Sequence, residues 1–213
     1  MSFKKNKFVV IKKAVSKELS EFASNYFMLR RQVSKTLLDT KYISPFSDEW
    51  GIWNDEMIPG TFSYYGDVAM ETLLVKLLPL MEKHTGLKLN PNYAYARIYK
   101  KGDSLYRHKD RFSCEISTTL FLGGDKWPIK LEPSGKEGKK GIEINLNIGD
   151  MLVYRGGELE HWRETFEGEN CVQVFLHYNN LKTKNSKENI YDSRPHLGLP
   201  FWFARNKEKK QNG

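Results

Sequence analysis

YAYARIYKKGDSLYRHKDRFSCEISTTLFLG, residues 93–123, is where the chain changes texture. Its two ends, YAYARIYK at 93–100 and SCEISTTLFLG at 113–123, are rich in β-branched and aromatic residues and are bounded by turn residues, which predicts strands. The same texture returns in IKLE at 129–132, IEINLNI at 142–148, DMLVYR at 150–155 and CVQVFLHY at 171–178. Six strands with no helix pattern between them predict antiparallel pairing. Upstream, KFVVIK at 7–12 reads as one further short strand, and Ser16 as the N-cap of a helix. In that helix Leu19, Phe22, Ala23, Tyr26, Phe27, Val33 and Leu37 recur at helical spacing. A second, leucine-rich helix is predicted over 68–83, perturbed by Pro79 and closed by Gly86. Helices first and strands afterwards predict an α+β domain, or a β-barrel or jelly roll with helices packed on one outer face.

The chain has 213 residues, 39% hydrophobic and 28% charged, which fits one domain with a substantial core and excludes a disordered polypeptide. We expect a single domain over 1–213, with a helical part at 1–90, a β core at 91–180 and a C-terminal extension at 181–213. The longest apolar run, 73–81, is short and broken by Lys76, so no membrane span is expected. Only four apolar residues, 8–11, follow the basic start, too few for a signal peptide, and a cytoplasmic location is the default. Cys114 and Cys171 lie in strand-like surroundings and are expected as two buried thiols.

The net charge of +8 resides in the ends: residues 1–13 hold five lysines and no acid, and 204–213 hold Arg205, Lys207, Lys209 and Lys210 against Glu208. The middle is balanced, which argues against a nucleic-acid partner. Residues 41–65 lose all periodicity yet carry Trp50, Trp53, Phe62, Tyr64 and Tyr65, a long aromatic loop where substrate contacts would be sought. PSGKEGKKG at 133–141 has Ile142 where a phosphate loop needs a following hydroxyl residue, so it reads as a solvated hairpin turn.

His108 and Asp110 are two residues apart, so in an extended segment both point to one side, as two ligands of one metal must. A third ligand would come from His84, His161, His177 or His196. His84 ends the second helix, where a cation complements the dipole, His196 lies in a Pro-rich tail, and His177 on the last strand fits a core or supporting role. His161 follows a strand and a polar turn, where a barrel would bring strand mouths together. Two histidines and one carboxylate leave the remaining positions of a metal open, which suits ferrous iron.

YARIYKKGDSLYRHKD at 95–110 resembles the strand and loop of the prolyl 4-hydroxylase-like branch of the 2-oxoglutarate- and Fe(II)-dependent dioxygenases, with Tyr99, Gly102, Tyr106, His108 and Asp110 matching. NIGDMLVYRGGELEHWRETFEG at 147–168 is similar to that family's closing strands. The resemblance implies a double-stranded β-helix (jelly-roll) core whose mouth holds Fe(II) through His108, Asp110 and His161. It further implies 2-oxoglutarate as cosubstrate, with Tyr99 hydrogen-bonding it, and O2, with ascorbate an accessory reductant the family allows. The activity so implied is hydroxylation of a C–H bond with release of succinate and CO2, on a protein or peptide prolyl side chain or a small molecule. The family's usual cation for the distal carboxylate of 2-oxoglutarate falls a short way past the second histidine, where this chain has Asn170, Cys171, Val172 and Gln173. A buried carboxylate needs a cation or several donors, and Arg163 is the first choice, with Arg97 and Arg111 as alternatives. A nucleic-acid demethylase is disfavoured by the neutral middle and by the lack of paired arginines in VQVFLHYNN at 172–180. The reading from another class is a non-catalytic β-barrel acting as a binding or assembly module.

Overall fold

In the computed structural model, which describes residues 3–204, the chain opens with a one-turn helix, α1 (Phe3–Asn6), and a strand, β1 (Phe8–Ile11). The basic residues Arg205, Lys207, Lys209 and Lys210, and with them the end of the expected extension, lie outside the described residues. Ser16 caps α2 (Lys17–Asp39), its hydroxyl accepting from the Leu19 N–H at 3.2 Å. After β2 (Phe62–Tyr65), the Asp67 carboxylate accepts from the N–H groups of Ala69 and Met70 and starts α3 (Val68–Thr85). Gly86, left-handed at φ +71°, ends that helix. Then follow β3 (Leu89–Lys100), β4 (Leu105–His108), β5 (Ile116–Gly124), β6 (Ile129–Leu131), β7 (Ile142–Ile144), β8 (Met151–Arg155), β9 (His161–Arg163) and β10 (Asn170–Asn180).

All pairings are antiparallel. They make a six-stranded sheet in the order β1-β8-β5-β10-β3-β2 and a four-stranded sheet in the order β4-β9-β6-β7. The strands from the helical part, β1 and β2, supply the two edges of the larger sheet. The solvated turn at 133–141 joins β6 to its antiparallel neighbour β7.

Strand alternation divides the larger sheet into two working faces. Ala94, Ala96 and Ile98 of β3, Leu120 and Leu122 of β5, Met151 and Val153 of β8, and Val172, Val174 and Leu176 of β10 share one core with Ala23 and Phe27 of α2 and with Met70, Leu74, Leu77 and Met81 of α3. The intervening residues point the other way. Tyr99, Phe121, Leu152, Tyr154 and Cys171 form a second core with Leu105 of β4, Ile129 and Leu131 of β6 and Ile144 of β7, all from the smaller sheet. The helices therefore cover one face of the larger sheet and the smaller sheet covers the other, and polar residues on that second face are the ones able to meet a ligand.

Three details differ from expectation. Helix α2 buries Ser20, Ser24 and Ser34, while Phe22 remains 68% exposed. Close approach accounts for Ser24: a Cβ on Gly123 of β5 would lie 2.6 Å from its hydroxyl, so at that point helix and sheet leave room only for a small side chain. The aromatic loop is partly strand, because Phe62–Tyr65 pairs with β3, and Trp53 and Phe62 pack ring to ring at 5.2 Å. The segment 142–148 is strand only over Ile142–Ile144. Cys114 and Cys171 are both buried free thiols, and among the described residues no helix is long and apolar enough to cross a membrane.

Candidate metal centre

The short strands β4 and β9 pair so that His108 stands directly opposite His161. Their rings are 4.2 Å apart between centroids, and the Asp110 Oδ1 atom lies 3.7 Å from the His108 Nε2 and 3.5 Å from the His161 Nε2. One ligand atom from each of the three residues falls within 4.8 Å of the others, and this is the described chain's group of histidine, cysteine and acidic residues that could hold a metal ion. His84 stays in the last turn of α3, and His196 is exposed in the C-terminal extension.

The hydrogen bonds around the imidazoles set their tautomers. His108 Nδ1 donates to the Tyr106 carbonyl at 2.7 Å and His161 Nδ1 to the Leu159 carbonyl at 3.1 Å. A carbonyl only accepts, so each Nδ1 carries a proton, and Nε2 is the ring nitrogen that faces Asp110. Burial and the neighbouring His161 both lower the His108 pKa, which favours the neutral, ligating form. Burial pushes the Asp110 carboxyl upward, but the facing His161 imidazole, His177 and the Ser117 hydroxyl outweigh it and hold the group well below the usual carboxylate range. Two imidazole Nε2 atoms and one carboxylate oxygen thus face one another as candidate donors.

Asp110 is held from the other side as well. Its N–H donates to the Gly156 carbonyl at 2.9 Å, and its Oδ2 accepts from the Ser117 hydroxyl at 2.6 Å. Gly156 is required by space: a Cβ there would meet Asp110 Oδ2 at 2.2 Å, the Cys114 carbonyl at 2.4 Å and Ser117 Oγ at 2.7 Å. Gly156→Ala is therefore expected to displace the carboxylate, costing about 1–3 kcal/mol from overpacking and most of the retained divalent metal. Metal content after dialysis and the urea midpoint check this; a variant keeping one tightly bound ion per chain contradicts it.

The three candidate ligands border a cavity of about 200 Å³, also lined by Tyr93, Tyr95, Arg97, Tyr99, Phe175 and His177, with Asp55 and Met57 entering from the aromatic loop. These β3 and β10 residues belong to the inward set of the alternation. Tyr106, 75% exposed, is outside the cavity lining. The three arginines differ sharply in their partners. Arg97 is paired with Asp55 at 2.6 Å and donates to the Ser63 hydroxyl. Arg111 is paired with Asp192 at 2.8 Å. Arg163 of β9 is fully buried and forms no ion pair with a described residue. It donates to the Trp127 carbonyl and, at 3.3 Å, to the Thr119 hydroxyl, and its Nε has no partner. The Tyr99 hydroxyl is likewise buried without a partner, and burial raises its pKa. Arg163 lies over the Trp127 ring at 4.9 Å, and that ring meets Tyr99 edge-on at 4.8 Å, so the two orphaned polar groups flank one indole.

Sequence reasoning did not find Ser117, Gly156 or Asp55. His177, read as a supporting histidine, is buried with its pKa pushed down to about 4 by desolvation, and it contacts Ser117 rather than the three ligands. The one available signal was parity: Ser117 is two residues from Thr119 and His177 two from Phe175 on strands whose alternate residues face inward.

No protein-family model and no curated protein matches the sequence. Among solved structures, the chain is similar to a prolyl 4-hydroxylase from Pseudomonas putida, at 14% identity over 84% of this chain and 95% of that one, with a TM-score of 0.58. It is similar to HygX from Streptomyces hygroscopicus with nickel and 2-oxoglutarate bound, at 13% identity over 84% and 85%, with a TM-score of 0.60. A third match is the viral collagen prolyl hydroxylase of Paramecium Bursaria Chlorella virus-1 in its 2OG complex, at 11% identity over 82% and 97%, with a TM-score of 0.53. What is shared at these identities is the fold.

Proposed function

We propose that this chain is an Fe(II)- and 2-oxoglutarate-dependent oxygenase, its two sheets forming the double-stranded β-helix of that fold. The observation that carries the reading is the convergence of His108 Nε2, His161 Nε2 and Asp110 Oδ1 beside a cavity, with both Nδ1 protons committed to backbone carbonyls. Three protein ligands on one side leave a metal's other positions for exogenous ligands, a pattern suited to ferrous iron. HygX, with this fold, has been solved with nickel and 2-oxoglutarate bound.

The chain also offers a place for the distal carboxylate. At Cys171 and Gln173, where the family resemblance leads one to look for a cation, there is none. Arg163 reaches that region from the opposite sheet: its Nη2 donates to Thr119, and the Thr119 hydroxyl donates to Gln173 Oε1 at 2.9 Å. The Arg163 Nε and the Tyr99 hydroxyl are buried donors without a partner, Tyr99 lines the cavity and Arg163 lies behind its lining, and a carboxylate bound beside them would give them an acceptor. Arg163 and Tyr99 therefore bind and orient the cosubstrate, while His108, Asp110 and His161 hold the iron. When bound, iron and 2-oxoglutarate supply the oxidising chemistry: with O2, 2-oxoglutarate is converted to succinate and CO2 and a substrate C–H becomes C–OH. The chain's own contribution is position and the exclusion of water by Tyr93, Tyr95, Tyr99 and Phe175 around the cavity. A prolyl side chain of a protein or peptide is the first substrate to test, since two of the structural neighbours are prolyl hydroxylases.

Anaerobic addition of Fe(II) and then 2-oxoglutarate to the metal-free protein tests the reading. A weak visible charge-transfer band requiring both additions is expected; its absence with folded protein favours a non-catalytic binding module. Arg163→Ala should raise the 2-oxoglutarate requirement about 10- to 100-fold, as loss of a hydrogen bond to a charged group does, with iron affinity little changed. An unchanged requirement would remove Arg163 from the role.

A further inference from the structure

The hydroxyl of Ser117 sits among three groups: Asp110 Oδ2 at 2.6 Å, the Cys114 carbonyl at 2.9 Å and His177 Nδ1 at 3.1 Å. A hydroxyl has one hydrogen to give, and both oxygens can only accept, the carboxylate being ionised. Whichever oxygen takes it, and the closer charged one is favoured, none remains for His177. The contact between Ser117 and His177 is therefore made by a proton on Nδ1 of the imidazole. Strand pairing fixes this arrangement, because Ser117 of β5 is the direct cross-strand partner of His177 of β10. His177 is 6% exposed and lines the cavity wall, whereas Asp110 faces the two histidines through its other oxygen, Oδ1.

We propose that Ser117 and His177 act as a positioning relay, in which the His177 Nδ1–H holds the Ser117 oxygen and the Ser117 hydroxyl occupies Asp110 Oδ2, so that Asp110 offers the metal one oxygen only. The inference rests on the metal-centre reading above and adds to it how the third ligand keeps the other coordination positions open. A carboxylate free at both oxygens can bind through both and fill one more position. The relay prevents that by committing Oδ2 to a charge-assisted hydrogen bond, and the imidazole prevents the hydroxyl from turning away. Neither residue belongs to the group of candidate ligands, so both are positioning residues.

The test is an anaerobic titration of the full chain with Co2+, read by the cobalt visible absorption bands. It is carried out on the parent, Ser117→Ala, His177→Phe and the double variant, with thermal midpoints of the metal-free proteins recording any folding defect separately. The parent is expected to bind one cobalt. Each single variant should weaken cobalt about tenfold or more, as lost support of a ligand does, and should change the bands toward a different coordination. The double variant should be no weaker than the weaker single, because the relay fails as a unit. His177→Asn, whose amide N–H replaces Nδ1–H, should regain most of the parent's affinity and spectrum. Parent-like affinity and bands in either single variant, or losses that add in the double, overturn the relay and leave the metal centre standing. A parent that takes up no cobalt removes the centre, and the relay falls with it.

Discussion

His108→Ala is expected to abolish release of succinate from 2-oxoglutarate while leaving the fold in place. Loss of a residue that merely supports a ligand already costs 10- to 100-fold, so loss of a ligand itself should exceed about 100-fold. The fold has little stake in this side chain. His108 ends a four-residue strand, its ring meets His161, and its Nδ1 bonds only the Tyr106 carbonyl. The core between the sheets is closed by Leu105, Ile129, Leu131 and Tyr154 without it. Stability should change by no more than about 1 kcal/mol, as for a substitution outside a packed core. Succinate assayed beside a denaturation curve checks both parts, and substantial turnover by the variant would take His108 out of the centre.

The second large effect is on stability and lies away from the centre. Arg194, from the C-terminal extension, is fully buried against Glu71 of α3, Nη2 to Oε1 at 2.6 Å, and it also donates to the carbonyls of Asn92 at 3.1 Å and Tyr191 at 2.8 Å. Glu71 in turn accepts from the N–H groups of Ala94 and Gly198. The pair ties the extension to both α3 and β3. Arg194→Ala strands a buried carboxylate and should cost about 3–5 kcal/mol, whereas replacing both partners by apolar residues of similar volume should cost much less. Urea unfolding of the single and double variants decides; a single variant within about 1 kcal/mol of the parent would contradict the account.

The residues of the candidate centre were legible because their signals are local. His108 and Asp110 are two apart, and His161 follows the apolar strand run DMLVYR at 150–155 and a polar turn. The strands carrying the two histidines were not legible, since four residues in β4 and three in β9 are too few to display a period of two. The α2 pattern differs for another reason: hydrophobicity marks what avoids water, but at Ser24 steric closeness to Gly123 of β5 admits only a small side chain, and Phe22 is left exposed. Ser117, Gly156 and Asp55 were hidden because their roles arise only when distant segments meet. Ser117 becomes the neighbour of His177 through strand register, and Gly156 acquires its constraint from Asp110 pressing against it. What distinguishes Arg97, Arg111 and Arg163 is likewise invisible in sequence: Asp55 and Asp192 pair with the first two, and no described acid pairs with the third.

The most direct measurement is an anomalous difference map at the iron edge from crystals of the chain loaded anaerobically with Fe(II). The account predicts one peak between His108 Nε2, His161 Nε2 and Asp110 Oδ1, bonded to a single oxygen of Asp110 and otherwise to non-protein ligands. A peak away from these three side chains, or one enclosed by a fourth protein ligand, would contradict it.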